Sequence, residues 1–229
     1  MTINNINSIP KQHKVLPALL SKFNDKVNRN VNVGEESAVK RNKLRIETIE
    51  NHFRQIMLAL GLDLNDDSLK DTPNRVAEMF VKEIFSGLDE ANKPEITLFE
   101  NKYRYGEMLI EKNISLYSYC EHHFVPIIGK VHVAYISNGK VIGLSKINRV
   151  VQYYAKRPQV QERLTMQIAE GLKEALDTQH LAVIIDALHL CVASRGVNDT
   201  NCNTLTSYYS GDFKGESKKQ EFIALALSK

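Results

Sequence analysis

From Leu44 onward, apolar residues fall at Ile46, Ile49, Phe53, Ile56, Met57 and Leu60. Spacings of three and four place them on one helical face. Gly61 is a suitable stop, because glycine readily takes the left-handed conformation that ends many helices. Asp71-Thr72-Pro73 predicts a second helix start, with Thr72 as cap and Pro73 in the first turn, where its missing N–H is harmless. Val76, Phe80 and Ile84 carry that helix toward Gly87. Residues 1–41 are polar, rich in Asn and Lys and without sustained period, and read as a variable, mobile extension. They lack the apolar run of a secretory signal.

After about residue 96 the period changes. Met108 and Ile110, then Ile114 and Leu116, alternate as in a strand, and so do Val131, Val133 and Tyr135. Asn138-Gly139 predicts a two-residue hairpin turn, with Val141–Leu144 as the return strand. Ser145 is placed to cap a helix carrying Ile147, Val150, Val151 and Tyr154. A further helix carries Val160, Leu164, Ile168, Leu172 and Leu176. Leu181–Ala193 reads as one long buried strand, Thr204–Phe213 as another, and Glu216–Leu227 as a closing helix. The order predicts an α+β fold, an antiparallel sheet with two helices on one face, preceded by a helical region over 42–95.

Composition narrows the function classes. The chain has 229 residues, 43% hydrophobic and 25% charged, which excludes collagen-like and wholly disordered chains. Its longest apolar runs are far short of the ~20 residues that span a bilayer, so no membrane role is expected. A net charge of +3 is too small to argue for nucleic acid. Three cysteines, an odd and low count, argue against a disulfide framework and for a reducing, cytoplasmic setting.

Two of those cysteines have company. Cys120 and His123 have two residues between them, so a turn can offer a thiolate and an imidazole to one ion. His189 and Cys191, two apart on the expected strand, point to one side. Cys120, His123 and Cys191 form a Cys2His set that suits zinc and leaves a fourth position for water. Cys202 would close the site into a structural one, but it lies in the polar segment Asn198–Thr204 and reads as a free thiol. His122 and His189, beside the ion without being needed as ligands, suit proton transfer. Elsewhere, Lys146 and Arg149 share a face at a predicted helix start, and Arg195 follows the metal strand. Together they suit a polyphosphate, with Arg75 as a further contributor.

At these residues the sequence resembles the GTP cyclohydrolase I family. The matching stretches are Asp71-Thr72-Pro73 with Arg75, Cys120-Glu121-His122-His123, Val141–Arg149, Arg157–Leu164, and His189-Leu190-Cys191 with Arg195-Gly196. The likeness runs from about Leu44 to the C-terminus. It implies the zinc-dependent conversion of GTP and water to 7,8-dihydroneopterin triphosphate and formate, at the head of pterin and folate synthesis. By position it implies zinc on Cys120, His123 and Cys191, with the metal-activated water attacking guanine C8. His122 and His189 would move protons and Ser145 would stand near the sugar. Glu162 with Gln161 would anchor the guanine edge, and Lys146, Arg149, Arg195 and Arg75 would hold the triphosphate. It also implies the tunnelling fold, with sheets closing into a barrel as five subunits form a ring, two rings forming a homodecamer, and active sites between subunits. Two places depart from the family pattern. Glu78 stands where lysine can occur, and Leu205, Tyr208 and Tyr209 interrupt a Thr-rich run.

Overall fold

The computed structural model describes residues 35–228. The extension expected over residues 1–41 lies mostly outside the described residues. Its last part, from Glu35, already belongs to a helix, N-terminal to the boundary expected at residue 42. The chain divides after Asn74 into two compact units.

In the first unit, α1 (Glu35–Ala59) half-buries Ile46, Ile49 and Phe53 and buries Met57, while Ile56 and Leu60 of the same expected stripe are exposed. It ends at Gly61, with φ +77°, where the Leu62 N–H donates to Met57 O and the Gly61 N–H to Leu58 O. That pattern satisfies carbonyls the helix would otherwise leave unpaired. A short helix, α2 (Thr72–Glu78), starts at the expected Thr-Pro.

The second unit continues α2 as a π-helical turn over Met79–Ile84. Its main sheet contains β2 (Met108–Cys120), β3 (Pro126–Ile136), β5 (Pro158–Gln159), β6 (Leu181–His189) and β7 (Asn203–Tyr209), in the order β5-β2-β3-β6-β7. All neighbours are antiparallel except the two-residue β5, which runs parallel to β2. A separate pair joins β1 (Leu98–Glu100) to β4 (Lys140–Ile142). The hairpin expected at Asn138-Gly139 therefore does not form. Gly139 does adopt φ +83°, but its carbonyl accepts from Asn101 and the following strand pairs with β1 rather than returning along β3.

Helices α3 (Leu144–Ala155) and α4 (Gln161–Leu176) cover one sheet face, as expected. Leu116, Val131, Val133, Ile147, Val151, Leu164, Ile168, Leu172, Val183 and Ile185 form that core, each buried aliphatic side chain contributing about 1.5–3 kcal/mol. The other face is covered at one end by α6 (Glu216–Leu227), where Phe213 and Phe222 pack with Met108, Ala134, Ala182 and Ile184. A bulge between Glu111 and Ile114, with Asn113 at φ +61°, shifts the β2–β3 register by one residue. That slip moves every later even-numbered side chain to the opposite face. Met108 therefore packs toward α6, whereas Ile114 and Leu116 pack toward α3 and α4. The alternation that looks continuous in the sequence belongs to two different cores.

Candidate metal centre

The sheet order brings three distant segments to one end. β2 stops at Cys120, and the chain reverses through His122 and His123, with Phe124 N–H bonded to Cys120 O at 2.8 Å and Cys120 N–H to Val125 O at 2.9 Å. Phe124 adopts φ +54° and packs edge-on against Phe80 and Phe85, which fixes this strained turn. β3 then leads away, and its Ile127 pairs with His189, the last residue of β6. Close approach of β3 and β6 needs Gly129, since a Cβ there would meet Asp186 O at 2.2 Å. Here the structure corrects one expectation. β6 ends at His189, and Leu190–Ala193 form a single helical turn, α5. Cys191 is therefore offered by that turn rather than by a strand face shared with His189.

The outcome is the expected triad by a different local route. One ligand atom each from Cys120, His123 and Cys191 lie within 4.8 Å of one another. Nδ1 of His122 and of His123 are 3.7 and 3.8 Å from Cys120 Sγ. Cys120 is buried, Cys191 half-buried and the two histidines exposed. Burial, then the neighbouring Cys120 thiol, pushes the Cys191 thiol up, with the Arg195 charge acting the other way. Two thiols in contact resist joint ionisation unless a cation shares them, so this donor set fits a divalent, thiolate-accepting metal. Cys202 is exposed and is not part of the group.

Around the triad stand the other expected residues. His189 Nε2 lies 2.7 Å from Gln161 Oε1. Burial lowers the His189 pKa, and the Glu162 carboxylate partly offsets that, which locates Glu162 within electrostatic reach of the ring. Glu162 itself is exposed in the first turn of α4. Gln161, expected with Glu162 at a guanine edge, has its side chain sealed. It is 2% exposed, and its amide nitrogen is committed to Ile185 O, Thr204 O and Thr206 Oγ1, so no side-chain polar atom faces solvent. Sequence reasoning overlooked Arg163. It pairs with Glu121 and donates to Pro158 O and Gln159 Oε1, tying the histidine turn to the start of α4. The only signal for it was its place inside Arg157–Leu164.

Of the second expected cluster, Arg195 lies beside Cys191, and Lys146 and Arg149 are elsewhere. The α3 helix begins at Leu144 with Gly143 as cap and no side-chain capping bond, so Ser145 lies inside the first turn instead of capping it. The helix runs back along β2: Asn148 donates to Glu111, Gln152 to Ser115 O and Ser118 to Ala155 O. The C-terminal end of α3 thus lies near the metal end of β2, and Ser145, Lys146 and Arg149 lie toward the other. Glu111 and Cys120 are nine residues apart in this strand, about 30 Å. Among the described residues, the Lys146 and Arg149 side chains make no hydrogen bond or ion pair. Arg149 lines a surface cleft of about 360 Å³ with Lys82 and Lys156, and Lys82 is held by Glu78 at 2.6 Å. Arg195 is exposed beyond α5, and Arg75 is exposed in α2.

A family model described as GTP cyclohydrolase I matches residues 49–227. A protein named GTP cyclohydrolase 1 from Flavobacterium johnsoniae is 60% identical over 179 residues, covering 78% of this chain and 80% of that one. Its namesake in Aeromonas hydrophila is 56% identical over 179 residues, covering 78% and 82%. That of Yersinia enterocolitica is 52% identical over 195 residues, covering 83% and 89%.

Proposed function

The chain belongs to the GTP cyclohydrolase I family, and from that premise we propose that it converts GTP and water to 7,8-dihydroneopterin triphosphate and formate, the first step of pterin and folate synthesis. The observation that carries the reading is the convergence of Cys120, His123 and Cys191 within 4.8 Å, with His122 and His189 beside them. Those three residues would hold zinc, which supplies Lewis acidity and a source of hydroxide near neutral pH.

The remaining work falls to the chain's own groups. Glu162 accepts hydrogen bonds from the guanine N1–H and 2-amino group, orienting the base. Lys146, Arg149, Arg195 and Arg75 neutralise the triphosphate. His122, exposed beside the metal ligands, receives and returns protons at the imidazole-ring nitrogens as that ring opens. His189 and Ser145 serve the later proton transfers at the sugar. Formate carries away the carbon between those nitrogens, and the sugar carbons close the new ring.

Ser145, Lys146 and Arg149 lie toward one end of β2 and the Cys120, His123 and Cys191 group, with Arg195 beyond Cys191, toward the other. That separation supports active sites shared between subunits, in a homodecamer of two pentameric rings whose sheets close into barrels. Closure would also cover the outer edge of β7, which has no strand partner among the described residues. No described helix is long and apolar enough to cross a membrane. The cytoplasm, where thiols stay reduced, is the setting this reading implies.

The test is incubation of the purified protein with GTP, with and without a chelator, following formate and the pterin chromophore. Turnover that stops on chelation and returns with zinc is expected. Absence of turnover in zinc-loaded protein overturns the proposal.

A further inference from the structure

The described residues contain one buried side chain whose whole hydrogen-bonding capacity is spent on orienting a neighbour in the metal centre. Gln161, the first residue of α4, has a side-chain nitrogen with two hydrogens. Around that nitrogen stand Ile185 O at 3.1 Å, Thr204 O at 2.9 Å and Thr206 Oγ1 at 3.0 Å. Two of these are backbone carbonyls, which only accept. An amide turned the other way would set its oxygen against both of them, so the assignment of nitrogen and oxygen is forced.

The hydroxyls around it follow the same order. Thr165 Oγ1 donates to Gln161 O at 2.8 Å and lies 2.7 Å from Thr206 Oγ1. With its proton spent there, Thr165 accepts from Thr206, and Thr206 accepts from Gln161. The amide oxygen is then left pointing at one partner, His189 Nε2, at 2.7 Å. An amide oxygen accepts only, so Nε2 carries the proton, and in the neutral ring Nδ1 is the nitrogen with the lone pair.

We propose that Gln161 is a positioning residue for His189, holding its imidazole as the Nε2–H tautomer through a network anchored on β6 and β7, rather than a contact to the guanine base. This deepens the proposed function and rests on it for the part His189 plays in turnover. The tautomer itself does not depend on that reading. It is an unusual use of a residue beside a nucleotide site, since its partner Glu162 is exposed while Gln161 is sealed. A sealed amide can set the direction and tautomer of a histidine without competing for substrate.

The test uses full-length, zinc-loaded protein labelled with 15N-histidine, sedimented and read by magic-angle-spinning NMR, with His189→Gln to assign the His189 signals. The expected result is a protonated Nε2 and an unprotonated Nδ1 in the native protein. In Gln161→Met that signature is replaced by a mixture of tautomers. Thr206→Val, which leaves the amide in place and removes only the hydroxyl behind it, produces the same change to a smaller degree. With GTP, Gln161→Met should lower kcat roughly 10–100-fold at nearly constant KM and constant zinc content. A His189 ring protonated on Nδ1 in the native protein overturns the proposal. So does a tautomer untouched by both substitutions, or a KM that rises while kcat holds, which would return Gln161 to the guanine. If the native protein turned over no GTP, the proposed function would fall, while the NMR arms would still decide the tautomer.

Discussion

The two ends of β2 carry the two halves of the proposed site, and they are built on different principles. At the Cys120 end, the end of β2, the turn after it and the helical turn after β6 bring Cys120, His123 and Cys191 of one chain together. The turn is pinned by backbone bonds and aromatic packing, and Gln161, Thr165 and Thr206 lock the neighbouring histidine. At the α3 end, Ser145, Lys146 and Arg149 stand in or near a first helical turn, exposed or half-buried, and the two cations have no partner among the described residues. The difference follows from charge. Neutral thiols and imidazoles can be assembled in advance at little cost, whereas cations gathered without a counter-anion repel and stay solvated until a polyphosphate arrives. One half is assembled by the fold, and the other is left solvated.

The largest effect expected is loss of the preassembled half. Cys191→Ala should empty the metal centre and abolish turnover by about a thousandfold or more, read by metal analysis and formate release. His122→Ala should keep its zinc and still lose roughly 10²–10⁴ in kcat. If it emptied the site instead, the ligand roles at this end would have to be exchanged. At the other end, Arg149→Ala or Lys146→Ala should leave zinc content unchanged and lower kcat/KM for GTP roughly 10–100-fold. Co-assembly of Cys191→Ala with Arg149→Ala subunits sharpens the contrast. Mixed oligomers should show more activity than the two variants separately, because one interface then unites two intact halves. No such gain would mean that each site is made within one chain.

Between the two ends lies His132 on β3, buried, with Nδ1 unpartnered among the described residues. Burial lowers its pKa from the ordinary 6.5, Asp186 opposes that shift, and Lys112 and Lys130 add to it. The unfolded chain therefore takes up this proton at higher pH than the folded one. The stability that neutral His132 contributes is complete above about pH 6.5 and is lost as pH falls toward its depressed folded pKa. Thermal midpoints between pH 8 and 5 should fall less steeply in His132→Asn than in the native protein. Parallel slopes would remove His132 from the account. The smallest effect expected is that of Ser118→Ala, which removes the buried 2.7 Å bond from Ser118 to Ala155 O that fastens α3 near the metal end. It should cost about 1–3 kcal/mol in denaturant unfolding and leave KM unchanged.

Much of this was legible in the chain. The 3.6-residue period marked α3 and α4, and alternation marked the central strands, because each buries one face and the pattern records which. The cysteine and histidine types marked a metal centre, because few other roles need that donor set. Other features were hidden by their dependence on distant partners. Asn138-Gly139 favours a hairpin locally, but β4 bonds to β1. Met108 and Leu116 look like one face until the bulge at Asn113 divides them. Gln161 is expected beside Glu162 at a guanine edge, and only the carbonyls of Ile185 and Thr204 show that its amide is sealed.

By itself, then, the sequence determined the donor atoms, the cationic residues, the two covering helices and, through its motifs, the family, since these depend on residue type and short spacing. Only the tertiary structure decided that Cys191 comes from a helical turn, that Gln161 bonds to His189, and that Lys146 and Arg149 lie toward the other end of β2 while Arg195 stays beside Cys191. Each of those is a matter of strand register and through-space contact, which residues remote in the chain settle together.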